Sequence, residues 1–254
     1  MRTWENQSTK LQKIGILLFD DFSNHCLANT VEPLRAANQL SGRKLYDWVF
    51  LTLDGAAVTS SSGLQVGAHA SLREQNGDLL IVMPSYGYLE QAGVETIRGL
   101  RAAAGRFDRI AGFDTGSWLL AEAGLLASKR ATIHWEVLVR FAERFDDIDV
   151  RRERHVIDGD RITCSGAMAA FDLIMELIAG RHGEALRLEV ATLFMSGDET
   201  HILPTRDPVV ARAVAGMREY LENPVPIGQI ARMAGRSQKE LERRTRAALG
   251  TTPQ

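Results

Sequence analysis

The 254 residues are 45% apolar and 24% charged, the mix of an ordinary soluble globular chain with ample material for a core. The polar opening MRTWENQSTKLQK lacks the apolar stretch of a secretory signal, and no run approaches the roughly 20 apolar residues that cross a bilayer, so a cytoplasmic protein without a membrane partner is expected. The net charge of −2 hides an asymmetry: residues 205–254 carry nine Lys/Arg against five Asp/Glu, and the remainder 21 against 27. A basic tail on an acidic body permits a nucleic-acid module, although a solvated helical face produces the same balance.

In chain order, the continuous apolar run at 13–19 (KIGILLF) before Asp20-Asp21 reads as a buried parallel strand. Residues 27–40 have helical spacing, with Leu27, Val31 and Leu34 on one side. A second strand is expected at 47–53, and a hairpin at 58–66 around Ser60-Ser61-Ser62-Gly63. Residues 79–84 form another buried strand, 89–104 a helix, 109–113 a strand and 117–126 a helix. Helical periodicity returns at 134–145, and two strands, 150–157 and 161–164, flank the turn signal Asp158-Gly159. Residues 171–179 and 186–195 read as helices that pack on the sheet or on a second subunit. Strands alternating with helices imply an α/β fold, a doubly wound, mostly parallel sheet covered on both faces. Gly197, Pro204 and Pro208 interrupt both periods, so 196–208 is read as a linker between a domain at 1–195 and a helical segment at 209–254.

Cys26 and Cys164 are too few for a disulfide framework and lack zinc-site spacing; they read as small buried hydrophobes. No metal or cofactor is expected. The informative motif is Gly112-Phe113-Asp114-Thr115-Gly116, set between a buried strand and a helix. Gly-x-Nuc-x-Gly at such a junction makes a sharp elbow that exposes its central side chain at the carboxyl end of the sheet, where open α/β folds bind ligands.

Residues 14–38, the elbow with its continuation through residue 126, and residues 130–135 resemble the PfpI/ThiJ class I amidotransferase-like (flavodoxin-like) fold. More closely, they resemble the GlxA-type branch of AraC-family regulators, which use that fold as a sensor; residues 156–166 are similar to the hairpin of that branch. In enzymes of the superfamily the elbow residue is a cysteine, often near a histidine. This chain has Asp114 there, and His134 falls at the regulators' His-Trp pair. Aspartate cannot replace a thiolate in amide hydrolysis, but it accepts from N–H donors and holds cations, so binding is favoured over catalysis. His134 reads equally well as a pocket residue or as a hydrogen-bonded structural histidine. The rival enzyme reading makes Asp114 the nucleophile of a hydrolase with His134 activating water; it needs a second acid to orient the histidine, for which the sequence offers no motif.

Aromatic residues fall near the ligand end of the sheet: Phe22, Tyr86, Tyr88, Trp118 and Trp135. With Asp114 and its neighbour Thr115, an aromatic cage suits a quaternary ammonium or amino compound, with core packing the competing reading for each ring. The resemblance points the same way, to betaine-like, carnitine-like or amino-acid effectors.

Residues 208–221, 226–235 and 238–249 read as helices, with Gly235 in the turn and Ser237 as an N-cap, a helix-turn-helix pattern. Gln238, Lys239 and Arg243 would face operator DNA, although a small solvated bundle gives a similar pattern. Residues 231–241 and 249–253 resemble the first helix-turn-helix of AraC-family regulators, with departures at Arg236, Arg244 and Thr245. Threonine in place of a buried aromatic should cost about 3 kcal/mol or more. The AraC pattern continues into a second helix-turn-helix, so this segment is expected to be the first half of the module and to bind DNA weakly alone. The resemblance and the need for two half-sites imply a homodimer. A ligand-binding protein whose DNA function has decayed is the third reading.

Overall fold

The computed structural model describes residues 10–194, 207–219, 225–250 and 252. The elements in order are β1 (Gln12–Leu18), α1 (Asn24–Ser41), β2 (Tyr46–Thr52), β3 (Val58–Thr59), β4 (Gln65–Val66), β5 (Ala70–Ser71), β6 (Gly77–Met83), α2 (Tyr88–Gln91) and α3 (Val94–Ala103). They continue with β7 (Phe107–Phe113), α4 (Gly116–Glu122), β8 (Arg130–Ala131), α5 (Leu138–Arg144), β9 (Asp149–Val150), β10 (His155–Asp158), β11 (Arg161–Cys164), α6 (Ala167–His182), α7 (Glu184–Phe194), α8 (Pro208–Glu219), α9 (Ile227–Met233) and α10 (Gln238–Leu249).

The main sheet has seven strands in the order β10-β11-β7-β6-β1-β2-β5, parallel except for β10, which runs antiparallel to β11. The apolar runs pair in register, Ile16 beside Ile81 and Ile81 beside Ala111, and all three side chains are fully buried. That is why they read as continuous rather than alternating: a parallel sheet is covered on both faces. From β1 the chain moves outward to β2, then returns to place β6 on β1's other side. The carboxyl ends of β1 and β6 therefore flank a topological switch point.

The helix expected over 89–104 is two, α2 and α3, because the chain breaks at Ala92 and restarts with Gly93 as the N-cap. The helix expected from 134 begins only at Leu138, because residues 134–137 form a tight turn in which the Val137 and Leu138 N–H groups bond three residues back, to His134 and Trp135 at 3.0 and 3.4 Å. The strand expected over 150–157 is divided between β9, which pairs with β8, and β10, which joins the main sheet. The helix starting at 27 gains a turn, since Ser23 accepts from the Cys26 backbone N–H at 3.2 Å and caps α1.

The chain forms two compact units, one ending at Ile174 and the other beginning at Met175, within α6. The expected linker at 196–208 lies outside the described residues up to 206; Pro208 already starts α8. In the second unit, Val209 and Ala213 of α8 pack with Ile230, Ala231, Ala234 and Leu241 into a small core under α9 and α10.

Candidate functional site

The elbow between β7 and α4 is built by two glycines that tolerate no side chain. A Cβ on Gly112 would lie 2.6 Å from the Ser117 nitrogen, and one on Gly116 would lie 2.1 Å from the Val82 carbonyl oxygen. The helix start is thus pressed against β6, and Asp114 bridges the gap with a φ of 59°. A non-glycine residue there costs on the order of 1 kcal/mol and persists where its surroundings enforce it. Asp21 (φ 61°) and Ser85 (φ 57°) do the same beyond β1 and β6, so three left-handed residues cluster at the carboxyl ends of the three central strands.

Hydrogen bonds tie these strand ends together. Ser85 Oγ donates to Asp114 Oδ2 at 3.0 Å and accepts from the Ser23 backbone N–H at 3.0 Å. Thr115 Oγ1 donates to the Ser85 carbonyl at 2.6 Å. The carboxylate is thereby aimed by neighbours on two other loops. Burial raises the Asp114 pKa above the ordinary carboxylate value; His134 and the Ser85 hydrogen bond oppose that shift, and Glu136 adds to it.

His134 meets the elbow through its backbone, and its imidazole lies against Gly166, where an added Cβ would come 3.2 Å from Cδ2. Its Nδ1 lies 3.9 Å from Glu136 Oε2, so Glu136 is the second acidic group that the sequence did not single out. Among the described residues no hydrogen bond joins the imidazole to the Asp114 carboxylate. Cys26 and Cys164 are fully buried within electrostatic reach of Asp114. Burial lifts the Cys26 thiol well above its ordinary value and pushes Cys164 up to about 12. Both are therefore protonated and fill space.

Of the aromatic residues expected to cage a ligand, the structure leaves two open to one. Tyr86, next to Ser85, is 63% exposed, and Trp135, next to His134, is 72% exposed with its ring centroid 5.6 Å from the imidazole. Phe22 is fully buried. Trp118 is buried on the far side of α4, against Tyr88, Phe141 and Phe145 at 5.2–6.0 Å, with the Arg140 guanidinium over its ring. Sequence proximity to the elbow misplaces it, because the side chain three residues into α4 turns away from the strand end. Thr115 is buried as well, its hydroxyl spent on Ser85. An open groove of about 560 Å³ lies by Trp118, Arg140, Arg144 and Glu122, and none of its lining residues belongs to the Asp114 cluster. Ser85, Ser23 and Glu136 escaped the sequence reading; the only signal for Ser85 was its place directly after a buried strand and Pro84.

In the second unit, Ser237 Oγ accepts from the Glu240 N–H at 3.3 Å and caps α10, with Gly235 at φ 74° in the turn. Gln238, Lys239 and Arg243 are all exposed. Gln238 donates to Glu242 at 2.8 Å, and Arg243 pairs with Glu240 at 2.9 Å. Thr245 is buried, whereas Arg244 reaches Asp207 at 2.8 Å and Glu240 at 2.7 Å. Arg236 stays exposed in the turn. Among the described residues no group of His, Cys, Asp and Glu could hold a metal ion, and no helix is long and apolar enough to cross a membrane.

A flavodoxin-like sheet with a tight elbow one strand from the switch point, followed by a helix-turn-helix, defines a class: regulators that carry an amidotransferase-like domain. The chain belongs to the DJ-1/PfpI family, whose model matches residues 12–180. It is 36% identical to the HTH-type transcriptional regulator GbdR of Pseudomonas aeruginosa (strain UCBPP-PA14), over 97% of this chain and 71% of that protein. To the HTH-type transcriptional regulator GlxA of Rhizobium meliloti (strain 1021) it is 33% identical, over 97% of this chain and 80% of that one. The crystal structure of an AraC family transcriptional regulator from Pseudomonas putida superposes with a TM-score of 0.64 at 25% identity, covering 72% of this chain and all of that one. Its relatives make this chain a transcription regulator.

Proposed function

We propose that the chain regulates transcription in response to a small cationic or zwitterionic metabolite, betaine-like, carnitine-like or an amino acid, bound at Asp114. The observation that carries this reading is the Asp114 carboxylate, held by Ser85 at the carboxyl ends of the central strands; by the resemblance, it stands at the elbow position that a cysteine takes in the superfamily's enzymes. Its surroundings favour a cation: Glu136 stands nearby, and Tyr86, next to Ser85, and Trp135, next to His134, carry exposed rings. An ammonium group gains charge-assisted hydrogen bonding from the carboxylate, and a quaternary one gains attraction to the ring faces.

On this reading residues 1–195 sense the effector and 209–254 form the first half of an AraC-type DNA-binding module, joined by the linker at 196–208. Gln238, Lys239 and Arg243 of α10 contact the operator, and two copies act as a cytoplasmic homodimer on paired half-sites. The reading assigns no catalysis: Asp114 serves as a ligand group, and burial of both thiols supports a binding role over cysteine chemistry.

Isothermal calorimetry against glycine betaine, carnitine and arginine tests the site. The wild type should bind at least one of the three, with Asp114→Asn weakening it about tenfold or more, as expected when a buried charge loses its partner. Unchanged affinity in the variant rejects Asp114 as the anchor. Steady turnover of an ester or alkyl halide with a covalent adduct on Asp114 would restore the hydrolase reading.

A further inference from the structure

Four charged groups run through the helix-turn-helix unit from the start of α8 to the exposed face of α10. Asp207 uses both carboxylate oxygens. Oδ1 accepts from the Val209 and Val210 backbone N–H groups at 2.9 and 3.4 Å, capping α8, and Oδ2 accepts from Arg244 Nη1 at 2.8 Å. One turn earlier on α10, Glu240 accepts from Arg244 Nε at 2.7 Å and from Arg243 Nε and Nη2 at 3.1 and 2.9 Å. Arg244 is thus held between two carboxylates, one capping α8 and one on α10, and Arg243 by one carboxylate on its own helix.

The apolar contact beneath this network is thin. The buried stripe of α10 is Leu241, Thr245 and Leu249, with a small polar residue at its centre. Next to that position Arg244 spans to α8. Its planar guanidinium can bridge two acceptors in a fixed orientation, as a lysine ammonium on a flexible stem cannot. The Arg243 side chain is 67% exposed, and it can leave Glu240 without stranding a charge, because Glu240 keeps Arg244.

We propose that Asp207 is a positioning residue for DNA recognition: through Arg244 it sets the orientation of α10, while Arg243 exchanges its Glu240 contact for DNA. The inference rests on the DNA-binding reading above and adds to it a residue outside the turn and the recognition helix.

Asp207→Asn isolates the clasp, because asparagine caps a helix about as well as aspartate but brings no charge to Arg244. Duplexes enriched from a random pool on the full wild-type chain serve as probes, beside scrambled duplexes of equal length, well below the thermal transition. Asp207→Asn should weaken the enriched duplex about fivefold or more and reduce discrimination against the scrambled one. Its salt dependence should keep the wild-type slope, since no phosphate contact is removed. Arg244→Lys should reproduce the loss, and Asp207→Asn combined with Arg244→Gln should add little to either alone.

Wild-type affinity and discrimination in Asp207→Asn and Arg244→Lys, or losses that multiply in the double variant, overturn the proposal while leaving the DNA-binding reading intact. Enrichment of no duplex by the wild type defeats that reading and the proposal together.

Discussion

Ser85 donates to Asp114 across 3.0 Å, and both residues hold left-handed backbone at the ends of adjacent strands, β6 and β7. The pair shows how the site is made. Each backbone turns sharply at its strand end, and the bond between the short side chains fixes the direction of the acid. The hydroxyl makes the carboxylate an oriented acceptor.

Burial raises the Asp114 pKa above 3.8 in the folded chain. The unfolded chain therefore loses this proton at lower pH, so folding is penalised progressively as pH rises through the window from 3.8 to the higher folded value. The penalty persists above that window. Asp114→Asn should accordingly be at least as stable as wild type at pH 7, and its stability should fall less as pH rises through the window. Urea unfolding at pH 3.5, 5 and 7 checks this; a variant less stable than wild type at pH 7 would contradict the assignment.

Gly116→Ala places a Cβ 2.1 Å from a β6 carbonyl oxygen, with backbone on both sides of the clash. A loss of about 3 kcal/mol or more is expected from overpacking that cannot relax. Gly67→Ala, with open space around its Cβ, should stay within about 0.5 kcal/mol of wild type. Thermal denaturation of the two variants separates elbow geometry from general glycine sensitivity.

Trp118 and Trp135 should divide their roles. Trp118→Ala empties a site packed by three aromatic rings and should cost about 3 kcal/mol or more, leaving effector affinity in the folded fraction near the wild-type value. Trp135→Ala removes an exposed ring, so stability should hold while affinity falls. Calorimetry beside chemical denaturation reads both quantities. The reverse pattern would place the ligand by α5 instead of at the elbow.

Both thiols should resist modification in the native protein. Burial keeps Cys26 and Cys164 protonated at pH 8, so a thiol-specific colorimetric reagent should report no rapidly reacting group until denaturant is added, and then two. A fast-reacting thiol in the folded chain would mean that the packing around these cysteines opens to solvent.

The parallel strands β1, β2, β6, β7 and β11, the elbow, and the turn and cap of the helix-turn-helix are legible from the residues alone. These depend on short-range physics: unbroken apolar runs for strands covered on both faces, glycines where backbone meets backbone, and a serine three residues before the N–H it caps. Periodicity alone runs the helix at 89–104 through Gly93 and starts the one at 134 too early, since it does not show where the chain turns before a helix begins. Which groups meet depends on how distant segments pack. Ser85 and Asp114 are 29 residues apart, and Arg244 and Asp207 are 37 apart. Strand order and helix packing set those meetings, and the same packing turned Trp118 into the core and left Trp135 at the surface.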